Sequence, residues 1–367
     1  MLKKIDTLEE QMAIINSYSV RRMQGKTQVI FNDDKKNIHV RNRLTHSFEV
    51  ATIAKKIAIN IKEKSILSVD PDIVFNVGLC HDLGHPPMGH VGQKILNKKF
   101  SKLGLFFDDN ANTLNVIEKD LKKISDITKV SLIKYPFLIK NYTDKGLYKK
   151  QYYYYLPILK EIVDMQNVNP NIARIRTYES EIMELADDIA YLTSDIEDAI
   201  GYYKVKIKNK YLKKLAQELN YENFEFLNLL NKLNKDNIQE ELHKMKLEFI
   251  NDISFSFKEN KFVESKEMIK RKEILRRICF DLYINKHSVL VKDKLMKEYE
   301  LYLEFLISNI DNSTILKEHM ISRTYLNKLL EAKTTKKKLK YLLLSIAELT
   351  DQWVLKKIKK MKENIIK

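Results

Sequence analysis

Glycine and proline are scarce in this chain of 367 residues, which contains 8 and 6 of them. Both residue types disfavour a helix interior, so their rarity leaves long stretches free to form helices. Four of the eight glycines nevertheless lie between Gly78 and Gly92, in or just before the segment HDLGHPPMGHVGQ at 81–93. The sequence therefore predicts an all-α protein in which this one segment departs from the helical pattern.

Hydrophobic spacing and capping residues predict the main elements. Asp70 followed by Pro71 is typical of a helix start. No clear linker interrupts the chain, so one α-helical domain is favoured over two. Helices are predicted for 44–60, for 71–82 with Gly84 and Pro86-Pro87 stopping the helix, for 176–202 and for 340–367, with a strand signal only at 28–31.

The composition limits the cellular context. The two cysteines, Cys80 and Cys279, form no CxxC pair, which argues against a cysteine zinc site or a disulfide framework and fits the cytoplasm. No apolar stretch predicts a signal peptide or a membrane span. The formal net charge of +16 indicates either general lysine enrichment or attraction to polyanions such as nucleotides and nucleic acid.

A set of histidines and aspartates has the character of a metal site. His81 and Asp82 lie at the end of a buried helix, where the chain turns and adjacent side chains can point at one cation. His46 can join them from an earlier helix, and either Asp187 or Asp188 from a later one. Imidazole and carboxylate together suit Mn, Fe, Zn, Ni or Co, with Mg also possible. A buried histidine that is only hydrogen-bonded in the core is the alternative.

Three polar residues share one face of the helix predicted for 176–202. Asp187, Tyr191 and Asp195 follow a spacing of four residues, which places them one above another. Their apolar flanks make such a face unfavourable unless its groups are paired or bind a ligand. A solvated acidic face is the alternative, because Asp188 and Glu197 lie nearby.

Four motifs in this order resemble the HD-superfamily deoxynucleoside triphosphate triphosphohydrolases, the dGTPase-like family. They are RRMQGKTQVI (21–30), VRNRLTHSFEV (40–50), HDLGHPPMGHVG (81–92) and ELADDIAYLTSDIEDAI (184–200). Weaker likeness continues in IKYPF (133–137) and IAELTDQWV (346–354). The resemblance implies an HD-type catalytic core in residues 1–204, additional C-terminal helices in 205–367 packed on that core, and a homo-oligomer.

The resemblance also assigns roles to individual residues. Arg43 would meet the phosphates, Tyr191 would pack on the sugar, and Gln28 and Asp195 would contact the 3′-hydroxyl. The implied metal ligands are His46, His81, Asp82 and Asp187. The implied catalytic residues are His90, as the proton-transfer group, together with His85 and Gln93.

The implied activity is metal-dependent hydrolysis of deoxynucleoside triphosphates, with dGTP favoured, to deoxynucleoside and intact triphosphate. The residue types agree with this chemistry. One divalent ion (Mn, Mg, Co, Fe, Ni or Zn) and an arginine can neutralise developing phosphate charge. The ion lowers the pKa of bound water, and a histidine titrates in the range that proton transfer requires.

Two residues depart from the family pattern. Gln93 stands one turn after His90, where the family usually has glutamate, and an amide orients an imidazole without stabilising its charge. FDDNAN (107–112) stands where the family has an FEHNAQ-like segment, so that Asp109 occupies the usual histidine place. These departures leave open two alternatives to the triphosphohydrolase: a weakened protein that senses dNTPs or binds single-stranded DNA, and a phosphohydrolase of another nucleotide.

Overall fold

The structure is a computed structural model, and it describes residues 2–28, 41–65, 67–141, 144–285, 289–320 and 322–366. These residues are mainly helical, which confirms the predicted all-α class. Their helices are α1 (Thr7–Ile15), α2 (Tyr18–Arg22), α3 (Arg43–Lys64), α4 (Pro71–Cys80), α5 (Gly89–Phe100), α6 (Asp109–Asp120), α7 (Asp126–Ser131), α8 (Lys149–Gln166), α9 (Tyr178–Glu197), α10 (Asn209–Glu218), α11 (Phe224–Lys232), α12 (Ile238–Asp252), α13 (Lys266–Ile278), α14 (Val289–Ser308), α15 (Ser313–His319), α16 (Arg323–Leu330), α17 (Thr335–Ala347) and α18 (Asp351–Ile366). Short π-helical turns at Asp198–Tyr202 and Cys279–Ile284 extend α9 and α13.

Helices α3, α4 and α9 pack against one another within the larger hydrophobic core. The crossing of α3 and α4 is close at Gly78, where an added Cβ would lie 2.6 Å from the Cα of Ala51. A side chain there would overlap the backbone, so the crossing requires glycine. It brings His46 and His81 together, with ring centroids 5.5 Å apart.

Helix α4 begins as predicted. The Asp70 side chain accepts a hydrogen bond from the Asp72 backbone at 2.9 Å, and Pro71 occupies the first turn. The helix was predicted to reach Asp82, whereas α4 ends two residues earlier, at Cys80. The His81 ring donates from Nδ1 to the Gly78 carbonyl at 2.7 Å and so satisfies a carbonyl of the last turn.

A second hydrophobic core joins α5 to the C-terminal helices. Ile95, Leu96 and Phe100 of α5 pack there with residues such as Tyr302 and Leu303 of α14. The larger core contains residues from Ile14 to Cys279 and therefore includes helices on both sides of residue 204. A division of the chain at 204 remains a prediction.

The C-terminal segment 340–367 is not the single helix that was predicted. Helix α17 ends at Ala347 and α18 begins at Asp351. The Thr350 hydroxyl accepts a hydrogen bond from the Trp353 backbone at 3.4 Å, which is the contact of an N-terminal helix cap. The Asp351 carboxylate accepts from the backbone N–H groups of Thr27 and Met88, both at 2.7 Å. The break therefore allows the start of α18 to hold two distant loops.

The described residues also contain one antiparallel hairpin, β1 (Ser254–Ser256) and β2 (Lys261–Val263), which the sequence analysis missed. Asn260 turns the chain with a φ of +50°. The strand signal at 28–31 falls, apart from Gln28, outside the described residues. None of the helices within the described ranges combines the length and apolar character needed to span a membrane.

Candidate active site

A cavity of about 650 Å³ opens beside the first turns of α3 and α5, the C-terminal end of α4 and the middle of α9. It is lined by ten of the eleven residues that the sequence analysis singled out: Gln28, Arg43, His46, His81, Asp82, His85, His90, Gln93, Asp187 and Tyr191. The eleventh, Asp195, is buried and does not line the cavity.

Three potential metal ligands from three helical elements meet at the floor of this cavity. His46 lies in the first turn and a half of α3, His81 directly after α4, and Asp187 in the middle of α9. One donor atom from each lies within 4.8 Å of the other two. His46 Nε2 is 3.0 Å from Asp187 Oδ1, and His81 Nε2 is 3.7 Å from the same oxygen.

Asp82 lies beside this group and is anchored by Arg43. Its Oδ1 is 3.3 Å from His81 Nε2, and its Oδ2 accepts a hydrogen bond from Arg43 Nη1 at 2.7 Å. Burial opposes ionisation, but the interactions of Asp82 with His81, His85 and Arg43 hold the pKa of Asp82 well below its usual range. The carboxylate is therefore charged and available to a cation.

The orientation of His81 fits a cation at this place. A carbonyl only accepts hydrogen bonds, so the contact with Gly78 assigns the proton of the neutral ring to Nδ1. Nε2 then carries a lone pair, is buried without a hydrogen-bond partner, and faces the oxygens of Asp82 and Asp187. Facing lone pairs repel unless a cation lies between them, and a metal-ligating histidine commonly has its other nitrogen held in this way.

Asp187, and not Asp188, faces the histidines. Asp187 Oδ2 is 3.3 Å from Lys134 Nζ, and despite burial the interactions of Asp187 with Lys134 and the two histidines hold the pKa of Asp187 well below its usual range. Asp188 instead pairs with Lys272 at 2.8 Å and Arg276 at 2.7 Å. The residue types left either Asp187 or Asp188 open as the ligand, and the structure places Asp187 beside the histidines.

The two histidines of the floor differ electrostatically. Burial lowers the pKa of His81 in spite of the two neighbouring carboxylates. Burial also acts against a charged His46, but its hydrogen bond and charge interaction with Asp187 prevail, and the pKa of His46 is raised.

A second group lies at the wall formed by α5 and α6. His85 Nε2 is 2.9 Å from Asp109 Oδ2, and the rings of His85 and His90 lie 5.3 Å apart, edge to face. Desolvation in the cavity and the charge of His85 lower the pKa of His90 to about 4, although part of His90 faces solvent. Gln93 lines the same wall, and its Oε1 is buried without a hydrogen-bond partner.

The close packing of α6 on Gly84 places Asp109 beside His85. A Cβ at position 84 would lie 2.0 Å from the Asp109 carbonyl oxygen, so only glycine permits this approach. The buried Lys26 holds the same loop by donating from Nζ to the carbonyls of His85 and, at 2.9 Å, Ala347.

The resemblance assigns three residues to the sugar. Tyr191 and Gln28 line the cavity, and Gln28 Oε1 has no hydrogen-bond partner. Asp195 is buried one turn beyond Tyr191. Burial and the nearby Asp198 raise the pKa of Asp195 to about 7.

Sequence reasoning missed several residues that build the site. Lys26, Lys134 and Asp351 lie within motifs of the family resemblance, at 21–30, 133–137 and 346–354, but no role was predicted for them. The contact of Asp109 with His85 and the support from Lys26 and Asp351 join positions far apart in the chain. The spacing of residues along the chain does not predict such long-range contacts.

Comparisons with known proteins agree with this geometry. The HD domain family model matches residues 43–165. A deoxyguanosinetriphosphate triphosphohydrolase-like protein of Rickettsia rickettsii (strain Iowa) is 32% identical over 278 residues, which cover 73% of this chain and 65% of the relative. Proteins of the same description from Corynebacterium glutamicum (strain R) and Rickettsia typhi (strain ATCC VR-144 / Wilmington) are 34% and 36% identical, covering 54% and 51% of this chain and 47% and 45% of the relatives.

The helical core contains the segment that the HD domain model matches, residues 43–165. Over most of its length the chain is similar to the deoxyguanosinetriphosphate triphosphohydrolase-like proteins, which confirms the resemblance carried by the four motifs. The matched region spans 65% of the length of the Rickettsia rickettsii relative, just under two thirds.

Proposed function

We propose that this protein is a metal-dependent hydrolase that converts deoxynucleoside triphosphates, dGTP foremost, to deoxynucleoside and inorganic triphosphate. The observation that carries the proposal is the convergence of His46, His81, Asp82 and Asp187 on the floor of one cavity. The names of the relatives support a nucleotide substrate.

The four side chains would hold one divalent ion, and their mixed imidazole and carboxylate donors suit Mn, Fe, Co, Ni or Zn, with Mg also possible. Such an ion, when bound, lowers the pKa of a water molecule and polarises a phosphoryl oxygen. Arg43 fixes one ligand by its ion pair with Asp82, and Lys134 does the same for Asp187. Both cations also add positive charge beside the polyanionic substrate.

The two ends of the cavity would receive different parts of the substrate. His85, His90 and Gln93 line the wall proposed for the phosphate chain, and Tyr191 and Gln28 the side proposed for the sugar. With a pKa of about 4, His90 is neutral near pH 7 and is suited to accept rather than donate a proton. A ring at Tyr191 would leave little room for a 2′-hydroxyl.

The test is the identity of the product. Purified protein loaded with Mn²⁺ is incubated with dGTP, and the phosphorus products are followed by ³¹P NMR. Triphosphate together with deoxyguanosine is expected. Pyrophosphate or orthophosphate as the first product would exclude this reaction.

One observation favours a second candidate, a sensor that binds dNTPs without hydrolysing them. Gln93 stands where a glutamate would stabilise the charged form of His90, and a neutral amide does not. Tight, saturable dNTP binding with no product under every metal tested would favour the sensor.

The proposal extends to assembly and location. The family resemblance supports a cytoplasmic homo-oligomer, and the net charge of +16 supports binding of single-stranded DNA. Light scattering of the purified chain tests the oligomer. Single-stranded DNA binding that weakens steeply with added salt would support the second partner.

A further inference from the structure

An exposed surface near the mouth of the cavity carries aromatic and basic side chains that the proposed hydrolysis does not use. The sequence QYYYYL at 151–156 forms part of α8. Its Tyr155 is buried and donates a hydrogen bond to Glu118 at 2.9 Å, but Tyr153 and Tyr154 are 64% and 58% exposed. Two large adjacent rings that are left mostly in water indicate a contact surface.

Lysines accompany these two rings along α8. Lys149 stands four residues before Tyr153, and Lys150 four residues before Tyr154, so each ring has a lysine one turn away. Both lysines are exposed, and neither forms an ion pair with a carboxylate among the residues that the structure describes. The first turns of α8 therefore present uncompensated positive charge beside exposed rings.

Helix α17 adds further positive charge to this surface. Desolvation and the neighbouring charge of Lys150 lower the pKa of Lys340. Lys336 and Lys337 stand one turn earlier on α17 and are exposed. Like charges brought together by two helices repel each other, and an anion bound between them would relieve the repulsion. The two helices thus form a surface suited to a polyanion.

The loop before α8 extends the same pattern to the cavity. Lys145 lines the cavity, and its Nζ lies 5.2 Å from the centroid of the Tyr135 ring. Phe137 is 57% exposed, and its carbonyl accepts a hydrogen bond from the Leu147 backbone at 2.8 Å, which fixes it beside the segment that leads into α8. A third exposed ring and a further lysine thus belong to the surface.

We propose that this surface binds single-stranded DNA, with phosphates on the lysines of α8 and α17 and bases stacked on Tyr153, Tyr154 and Phe137. Cationic side chains interleaved with exposed rings are the features by which proteins hold single strands without reading their sequence. A duplex keeps its base faces stacked and out of reach of the rings, and a single nucleotide would leave most of the lysines unpaired. The inference rests on the proposal of a single-stranded partner and assigns that partner a place on the molecule.

Binding of a fluorescein-labelled oligo(dT) to the full chain, measured by fluorescence anisotropy at several salt concentrations and without dNTP, tests the surface. Lys149→Gln combined with Lys150→Gln should weaken binding and make it less salt-dependent, because each lysine that contacts a phosphate contributes roughly 0.7 to the slope of log affinity against log salt. Tyr153→Ala combined with Tyr154→Ala should weaken binding about five-fold or more for each ring that stacks a base, with the slope unchanged. Tyr153→Phe combined with Tyr154→Phe keeps both rings and should bind like the wild type.

Matched controls change similar side chains elsewhere on the surface. Lys210→Gln combined with Lys213→Gln removes two exposed lysines of α10, and Phe224→Ala removes an exposed ring at the start of α11. Both controls should bind oligo(dT) like the wild type. Circular dichroism and thermal unfolding check that every variant is folded.

The outcomes separate the surface from the proposed function. Affinities of the α8 lysine and tyrosine-to-alanine variants that equal those of the controls would overturn the surface and leave the single-stranded partner standing, whereas no binding by the wild type would overturn both. Duplex DNA bound as tightly as oligo(dT), or anionic lipid vesicles bound in preference to it, would also contradict the inference. None of these results depends on hydrolysis, whose product the ³¹P NMR experiment identifies separately.

Discussion

His46 Nε2 lies 3.0 Å from Asp187 Oδ1, although 141 positions separate the two residues in the chain. The contact joins the first turns of α3 to the middle of α9, and His81 adds its Nε2 at 3.7 Å from the same oxygen. Three helices thus carry ligands to one point, and the position of each ligand depends on the packing of the others.

Asp187→Ala is expected to abolish binding of the ion assigned to the floor of the cavity. The substitution removes the only carboxylate that contacts both His46 and His81 among the described residues. Elemental analysis of the chelator-stripped protein reloaded with Mn²⁺ counts the bound ion. Asp188→Ala is the matched control, because Asp188 pairs with Lys272 and Arg276 away from the histidines. Full retention of the ion in Asp187→Ala would refute the assignment.

Gln93→Glu is expected to increase turnover of the best dNTP. A carboxylate on this wall adds negative charge beside His85 and His90, and a charge-assisted hydrogen bond contributes roughly 1.5–3 kcal/mol against about 1 for a neutral one. The difference corresponds to roughly a few-fold to thirty-fold in rate. Gln93→Leu provides a neutral control, and His90→Ala should be far slower than the wild type. A Gln93→Glu variant no faster than wild type would contradict this account.

Tyr191 is expected to discriminate deoxyribose from ribose. The ring lines the cavity on the same helix as Asp187, one turn further along. Wild type should therefore hydrolyse dGTP much faster than GTP, and Tyr191→Ala should narrow that ratio chiefly by admitting GTP. Tyr191→Phe keeps the ring and should keep the ratio. Equal rates for GTP and dGTP in the wild type would contradict the assignment.

Much of the fold could be predicted because it depends on local chemistry. Asp70 and Pro71 predict the start of α4, and the scarcity of glycine and proline indicates the helical class. The break before Asp351 was missed because the apolar pattern continues through 340–367, whereas the helix is interrupted where Asp351 binds the backbone of Thr27 and Met88. These two hydrogen bonds depend on tertiary packing, which the spacing of apolar residues along the chain does not predict.

In the candidate site, too, some residues could be predicted from the sequence and others depend on tertiary packing. The order of the motifs and the residue types led to His46, His81 and Asp82. The choice of Asp187 over Asp188 needed the family resemblance, since both lie on one helix and only three-dimensional packing turns one of them toward the histidines. Asp109 was noticed only as a departure, because its contact with His85 arises from the close approach of α6 to Gly84.

His319 is expected to make stability depend on pH. The ring is buried against Tyr302 and Phe305, neither of its nitrogens has a hydrogen-bond partner, and burial lowers its pKa to about 4. The unfolded chain, with an ordinary histidine pKa of 6.5, binds a proton first as the pH falls. Stability is therefore complete above pH 6.5 and declines toward pH 4, by at most about 3 kcal/mol.

Denaturant unfolding of wild type and His319→Phe between pH 7.5 and 4.5 measures this effect. The His319→Phe variant should lose less stability over the range than the wild type. His243→Gln, at an exposed position of α12, is the control and should follow the wild type. Identical pH profiles for wild type and His319→Phe would contradict the burial argument.

The most direct measurement is triphosphate release from dATP, dCTP, dGTP and dTTP by the chelator-stripped protein reloaded with Mn²⁺, Mg²⁺ or Co²⁺. Wild type and Asp187→Asn are compared at equal concentrations. The account predicts that the reloaded wild type releases triphosphate from at least one dNTP, fastest from dGTP, and that both the stripped protein and Asp187→Asn release none. Release that persists without metal or in Asp187→Asn, or no release by the wild type with any of the three ions, would contradict it.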